Sequence, residues 1–367
     1  KVKMKKIGIL TYHRSINYGA MLQAYALRYT IQKLGYKVEV IDYGKIGQEK
    51  IFFWSTSSLK AIIGSIINNF LRLFGEKRRI ATFNKFSEEM IGLSQKHYSC
   101  KDELITDLHH YQSLVTGSDQ VWHPIICEDD MSYFLDFPIA GNQKIAYAPS
   151  FGVKQLTDKQ ERKYTPFLQH IGHLSVREEA GVQILKKILK KEVPLVIDPT
   201  LLCDATEWDK IAISPRKKKK YILFFTILGD PEGSIEFVSA LKRKFRYEII
   251  KIGSIRDLAN YQYRSGRSAG PREFLGLVRE AEFIVTNSFH GTAFSIIYRK
   301  NFFTFLNNND RNSRLESITQ LLGLEAQLRK GKCKLPENLT VDYTEAQKQL
   351  ALLKKQSLSF LEEALNS

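Results

Sequence analysis

The chain has 367 residues, 43% of them hydrophobic, which is too long for one ordinary domain and apolar enough to build two cores. Its four cysteines (Cys100, Cys127, Cys203 and Cys333) stand far apart with no C-x-x-C pair, which argues against a disulfide framework or a metal site and predicts a reducing, cytoplasmic setting. The net charge of +16 falls largely in short solvated runs such as Lys217 to Lys220 and Lys77-Arg78-Arg79, without an aromatic-basic recognition motif. Nucleic acid is therefore not an expected partner, whereas anionic substrates or the anionic inner face of a membrane remain open as the target of that charge.

The opening KVKMKKIGIL lacks the apolar run and small-residue cleavage site of a secretory signal, and no stretch reaches the roughly 20 apolar residues of a membrane span. KIGILTY reads as a buried strand, followed by the loop HRSINYGA and a helix that runs to Gly35; KVEVIDY is the second strand. Strand, loop, helix and strand within about forty residues form a βαβ unit, so a parallel sheet is expected. From Leu59 to Phe74, apolar residues recur every three or four positions. This spacing predicts an amphipathic helix, packed on the domain or laid on a membrane or lipid-linked substrate.

SLVTGSDQVWHP reads as a strand entering a polar loop, QKIAYAPSFG as another strand, and HIGHLSVREEAGVQILKKIL as a strand and helix. VPLVIDPTLL reads as a strand ending in an Asp-Pro turn, with Asp198-Pro199-Thr200 taken as turn chemistry. ISPRKKKK, residues 213–220, is the best linker and divides the chain into 1–212 and 213–367. A second alternating series follows, with strands at YILFFTILG, YEIIKIG, EFIVT and NFFTFL and helices between them. A polar-rich helix at the end is free to cross back. The expected architecture is α/β: two Rossmann-like domains facing a cleft, in the manner of glycosyltransferase-B folds.

Ligands of open parallel sheets sit where strands end and helices begin. The loop Asn287-Ser288-Phe289-His290-Gly291-Thr292 has that address. Backbone N–H groups at a helix start form an anion site there, Ser288 and Thr292 offer hydroxyls, and Gly291 permits close approach. His290 can exchange a proton near neutral pH. Asp119-Gln120-Val121-Trp122 follows another strand. It suits a sugar through Asp119, Gln120 and a stacking Trp122 ring, or else it is a helix cap with Trp122 in the core. Arg177 at a strand end can grip a carboxylate or phosphate, or pair with a neighbouring glutamate. Asn17-Tyr18-Gly19 occupies the first strand–helix loop, and Arg311 and Arg314 form a late basic pair within reach of a donor phosphate. The remaining histidines lack metal-ligand spacing, and no P-loop, nucleophile elbow or dinucleotide fingerprint appears.

Taken in order, GILTYHRSINYGAMLQAYAL, VTGSDQVWHP, KIAYAPSFG, LSVREEAG, VIDPTLL, GPREFLGLVREAEFIVTNSFHGTAFSIIY and RNSRLESITQLLGL resemble the polysaccharide pyruvyl transferase family over nearly the whole chain. The resemblance implies transfer of the pyruvyl group of phosphoenolpyruvate onto sugar hydroxyls as a cyclic ketal. The acceptor would be a bacterial-type surface polysaccharide or its lipid-linked precursor, and no cofactor or metal would be needed. It places the family's catalytic histidine at His290 and its donor-binding arginine at Arg177. Around them Asn287, Ser288, Gly291, Thr292, Arg311 and Arg314 are expected on the donor side, with Asn17, Tyr18, Asp119, Gln120 and Trp122 on the acceptor side. His290 is open to either role, acid or base. The rivals are a nucleotide-sugar glycosyltransferase of the same fold and a non-catalytic glycan-assembly protein.

Overall fold

The structure is a computed structural model that describes residues 6–44, 77–127, 130–215, 219–252, 264–265, 268–307 and 312–367. The expected helix over 59–74 lies outside these residues, as does Arg311. Among the described residues no helix is long and apolar enough to cross a membrane.

The first half forms one parallel sheet from β1 (Lys6–Leu10), β2 (Val38–Tyr43), β3 (Leu93–Tyr98), β4 (Tyr111–Thr116), β5 (Lys144–Ala146) and β6 (His173–Leu174). Its helices are α1 (Tyr18–Lys33), α2 (77–86), α3 (Lys101–Ile105), α4 (Asp158–Leu168), α5 (Glu179–Leu189) and the short α6 (Pro199–Leu202) and α7 (Ala205–Asp209). The second half repeats the plan with β7 (Tyr221–Phe225), β8 (Glu248–Ile252), β9 (Arg264–Ser265), β10 (Phe283–Thr286), β11 (Asn301–Phe305) and β12 (Leu328–Arg329). Helices α8 (Ser234–Phe245), α9 (Pro271–Glu280), α10 (Phe289–Ile297), α11 (Ser313–Leu321) and α12 (Thr344–Asn366) accompany it.

The strand orders are β3-β2-β1-β4-β5-β6 and β12-β11-β10-β7-β8-β9, with every pairing parallel. Counted from its own first strand, each sheet has the Rossmann order, with its switch point between its first and fourth strands: β1/β4 and β7/β10. The central strands are buried along almost their whole length, as in β7 and β10, because helices cover both faces of a parallel sheet. The expected fold class, two Rossmann-like halves in a glycosyltransferase-B-like arrangement, is what the chain adopts. One expected strand is absent: VPLVIDP makes only a single bridge, Val176 to Leu195, because Pro194 and Pro199 bracket it and leave it few donors for a ladder.

The two halves are joined by apolar packing as well as by chain. One core cluster runs from Ile7, Ile9 and Leu22 through Trp208 to Phe274, Ala293 and Phe294. Tyr18 lies at its centre, stacked on Phe274 with ring centroids 4.6 Å apart, and its hydroxyl donates to the Ala269 carbonyl at 2.8 Å. After α7, Ile213 is tied to α9 through its N–H to the Arg272 carbonyl at 2.9 Å.

Helix α12 then returns to the first half. Ser357 Oγ accepts the Ile197 N–H at 3.0 Å, Tyr36 bonds Asn366, Phe360 meets the Tyr147 ring, and Leu361, Ala364 and Leu365 are buried. A returning helix of this kind is part of the first domain's core. Leu361→Ala is expected to lower stability by about 2–5 kcal/mol in urea unfolding, the range for truncating a fully buried leucine.

Candidate functional site

The carboxyl ends of both sheets point at the seam between the halves, and the expected residues converge there from both switch points. His290 belongs to the first turn of α10, directly after β10. Ser288 caps that helix by accepting the Gly291 N–H at 3.3 Å, and Thr286 Oγ1 accepts the Ser288 N–H at 3.0 Å. The His290 ring reaches across the seam and lies on the first turn of α1. A Cβ on Gly19 would stand 1.8 Å from His290 Nδ1, so only glycine fits beneath the ring. His290 is 5% exposed, and its Nε2 is buried without a hydrogen-bond partner.

Asp198 is the hub of the site. Its Oδ2 accepts Arg177 Nη1 at 2.6 Å and Ser118 Oγ at 2.7 Å, and it faces His290 Nε2 at 3.7 Å. Its Oδ1 accepts the Thr200 N–H at 3.0 Å and the Thr200 hydroxyl at 2.7 Å, the cap of α6. Burial pushes the Asp198 carboxyl up, but the charge of His290, with Arg177 and the hydrogen bonds from Thr200, outweighs burial and holds it well below the usual carboxylate range. The sequence reading assigned this residue to turn chemistry alone. The signal that would have found it is its place at the mouth of the sheet, beside the segment carrying Arg177.

Arg177 follows β6 and is buried with three carboxylates: Asp198, Asp119 Oδ1 at 3.4 Å from Nη2, and Glu178 Oε2 at 3.6 Å from Nε. Burial opposes its charge, yet those carboxylates keep its affinity for a proton above the ordinary arginine value. The Phe289 ring covers the guanidinium at 4.7 Å, and Arg177 Nε has no hydrogen bond. Arg314, from α11, lies against the same cluster, and its Nε is likewise buried without a partner. Burial first, and then repulsion from Arg177, bring Arg314 down to about 10. Among the described residues Arg314 pairs with no carboxylate, in contrast to Arg177.

Other expected site residues have their polar groups engaged within the protein. Asn287 links the loops: its Nδ2 donates to the Ile227 carbonyl at 2.9 Å, and its Oδ1 accepts the Ile227 N–H at 2.8 Å. Thr292 is fully buried, bonding the Ser288 carbonyl at 3.1 Å and the Thr304 hydroxyl at 2.7 Å. Gly291 makes room for Thr286, whose Oγ1 would be 2.3 Å from an added Cβ, and so serves packing within the loop. Asn287, Ser288, Gly291 and Thr292 thus build the loop that presents His290, in place of the free donors expected of them.

On the other side, the stacking platform expected of Trp122 is absent. The indole is wholly buried, stacked on Phe134 at 5.3 Å and donating to the Tyr133 carbonyl at 2.8 Å. Tyr18 is buried in the interdomain core, and Asn17 is the cap of α1, accepting the Gly19 N–H at 2.9 Å. Asp119 does reach the cluster, on a backbone with φ of 74°, and Gln120 lies beside it against Gly152. Behind the first loop, His13 and Arg14 both bond Asp42, with His13 Nε2 at 3.0 Å, which locks the turn that sets Gly19 under His290.

Asp107, His109 and His110 bring ligand atoms within 4.8 Å of one another, but they precede β4, away from the seam. Asp107 already accepts Lys96 at 2.7 Å and Tyr98 at 3.1 Å.

Fold and site together define a two-domain, glycosyltransferase-B-like protein with a histidine, a buried carboxylate and two guanidinium groups where its paired switch points meet. The family model described as Polysaccharide pyruvyl transferase matches residues 17–309, most of the chain, and the chain belongs to that family. Among solved structures, the chain is similar to UGT89C1 of Arabidopsis thaliana, at 11% identity, 98% coverage of both chains and a TM-score of 0.49. It is similar also to the UDP-GlcNAc 2-epimerase of Methanocaldococcus jannaschii, at 13% identity over 96% of this chain and 100% of that one, with a TM-score of 0.46. A third is MnaA of S. aureus, at 13% identity over 98% and 91% of the two chains and a TM-score of 0.48. No curated protein sequence matches the chain significantly.

Gly19→Ala is expected to displace the His290 ring and cost about 1–3 kcal/mol in urea unfolding, as overpacking does, with a shift of the ring's proton resonances. The Asp198 carboxyl is lowered in the folded state, so its contribution is present at neutral pH and is lost as the pH falls below about 4, where the unfolded chain takes up the proton. Urea midpoints from pH 7 down to pH 3 are expected to fall in the parent, with a flatter slope in Asp198→Asn.

Proposed function

We propose that the protein transfers the pyruvyl group of phosphoenolpyruvate to two hydroxyls of a sugar, forming a cyclic ketal and releasing phosphate. The observation that carries this reading is the pair Arg177 and Arg314. Two guanidinium groups are buried close enough to repel each other, and each has an Nε without a hydrogen-bond partner. An anion between them would relieve the repulsion and use both donors. Phosphoenolpyruvate carries a phosphate and a carboxylate, so one small donor can engage both arginines and place its reacting carbons beside His290. Family membership supports the same donor and a glycan acceptor.

The chemistry needs a proton at the methylene carbon, which makes C2 electrophilic, and removal of a proton from each attacking hydroxyl. His290 is the group beside the arginine pair suited to one of these transfers. The second hydroxyl closes the ketal as phosphate leaves with the bonding electrons of its C–O bond. Nothing in this scheme calls on a metal or cofactor. Asp119 and Gln120, at the rim of the cluster, are the residues we assign to the acceptor. The acceptor we favour is a surface polysaccharide or its lipid-linked precursor, met at the cytoplasmic face of a membrane; the segment 59–74 is the candidate contact.

Incubation with phosphoenolpyruvate and candidate glycans, followed by mass spectrometry and phosphate assay, is expected to give the pyruvyl ketal mass with matched phosphate release. His290→Ala is expected to lose about 100- to 10,000-fold in kcat, the usual share of general acid–base catalysis. Arg314→Gln is expected to act mainly on KM for phosphoenolpyruvate. Stabilisation against heat by a nucleoside diphosphate but not by phosphoenolpyruvate would overturn the assignment in favour of a nucleotide-sugar enzyme.

A further inference from the structure

The two ring nitrogens of His290 have different surroundings. Nε2 is buried, has no hydrogen-bond partner and faces Asp198 Oδ2 at 3.7 Å. Nδ1 lies over the first turn of α1, where the lack of a side chain on Gly19 gives the ring its place. Asp198 is itself immobilised at both oxygens, by Thr200 on Oδ1 and by Ser118 and Arg177 on Oδ2. A carboxylate so fixed beside one imidazole nitrogen dictates which nitrogen keeps the proton in the neutral ring.

We infer that Asp198 is a positioning residue that holds a proton on His290 Nε2, so that Nδ1, over Gly19, is the atom that exchanges a proton with substrate. The inference rests on the pyruvyl-transfer reading for the identity of that substrate, but the pair itself does not. The step balances within the ring. Nδ1 releases its proton to the substrate and the imidazolium becomes the neutral Nε2–H tautomer, or the reverse; Asp198 stays ionised throughout and receives no proton. At 3.7 Å the ionised carboxylate is within ion-pair distance of Nε2 and favours the proton on that nitrogen in the ligand-free protein.

The charged groups around the ring come from several elements. Asp198 stands at the start of α6, Arg177 and Glu178 after β6, Asp119 after β4 and Arg314 on α11. The first turn of α1 carries no acidic residue. Arg177 meets the same Asp198 oxygen as the imidazole and is further compensated by Asp119 and Glu178. Asp198 therefore dominates. Glu178 and Asp119 are held by Arg177, and Ser150 Oγ donates to Glu178 at 2.6 Å.

The test reads the ring directly. In ligand-free protein labelled with nitrogen-15 at histidine, the neutral His290 ring, identified by its loss in His290→Gln, is expected as the Nε2–H tautomer. A parent protein with the neutral proton on Nδ1 overturns the inference whatever the variants do. In Asp198→Asn, checked for a cooperative melt, the Nε2–H preference is expected to be lost and kcat to fall on the order of 100-fold or more. The pH–rate limb belonging to His290 is expected to move about one unit lower. A folded Asp198→Asn protein with an unmoved limb and unchanged tautomer also overturns it.

Thr200→Val is the milder variant, because it keeps the Asp198 charge and removes only one donor to Oδ1. It is expected to lower kcat severalfold at unchanged KM for phosphoenolpyruvate, and a wild-type kcat there would count against the fixed carboxylate. A correct tautomer in a parent that transfers no pyruvyl group would sink the pyruvyl-transfer reading and leave the Asp198–His290 pair standing.

Discussion

The site depends on one ion pair, Arg177 to Asp198 at 2.6 Å, made in the interior where neither charge can be left alone. Breaking such a pair by removing one partner leaves an uncompensated buried charge, so the two residues fix each other's position more firmly than surface groups would. Everything else in the cluster is ordered against them. Ser118 donates to the carboxylate, Asp119 and Glu178 spread the arginine's charge, and Phe289 covers its face. The pair thus ties the loops after β4 and β6 and the start of α6 to one another, and His290, from the second domain, closes onto that frame.

The fold makes this meeting possible through its repeated topology. Each half places its switch point at the carboxyl edge of its sheet, and the two edges are opposed. The rings of Tyr18, Phe225 and Phe274 pack across the seam and hold the edges in register, with Tyr18 and Phe225 centroids 5.7 Å apart. An apolar joint of this kind lets a glycine on one domain and a histidine on the other approach to van der Waals distance, which polar, hydrated domain surfaces do not maintain.

The sequence made the frame legible where local pattern and function agree. Apolar strands ending in polar loops located both sheets, and the strand–loop–helix address of His290 was visible without coordinates. Residues whose role is settled by distant partners were not legible. Asp198 precedes a proline and caps a helix, which are ordinary turn credentials; its other oxygen meets Ser118 and Arg177, 80 and 21 positions away. Trp122 sits in a polar stretch that suggests exposure, yet Phe134 and Phe151 enclose it. Arg177 and Arg314 look alike as letters, and only their surroundings separate a guanidinium paired with carboxylates from one that, among the described residues, makes no ion pair.

Helix α12 carries a consequence for synthesis. The first domain's core includes Leu361, Ala364 and Leu365, and its Ile197 amide relies on the Ser357 hydroxyl. A ribosome delivers those residues only after the entire second sheet has emerged. The first domain must therefore wait, incompletely packed, while its neighbour forms, and the two halves reach their final state together although their sheets are separate. In living cells this favours chaperone protection of the nascent first half over independent, domain-by-domain maturation.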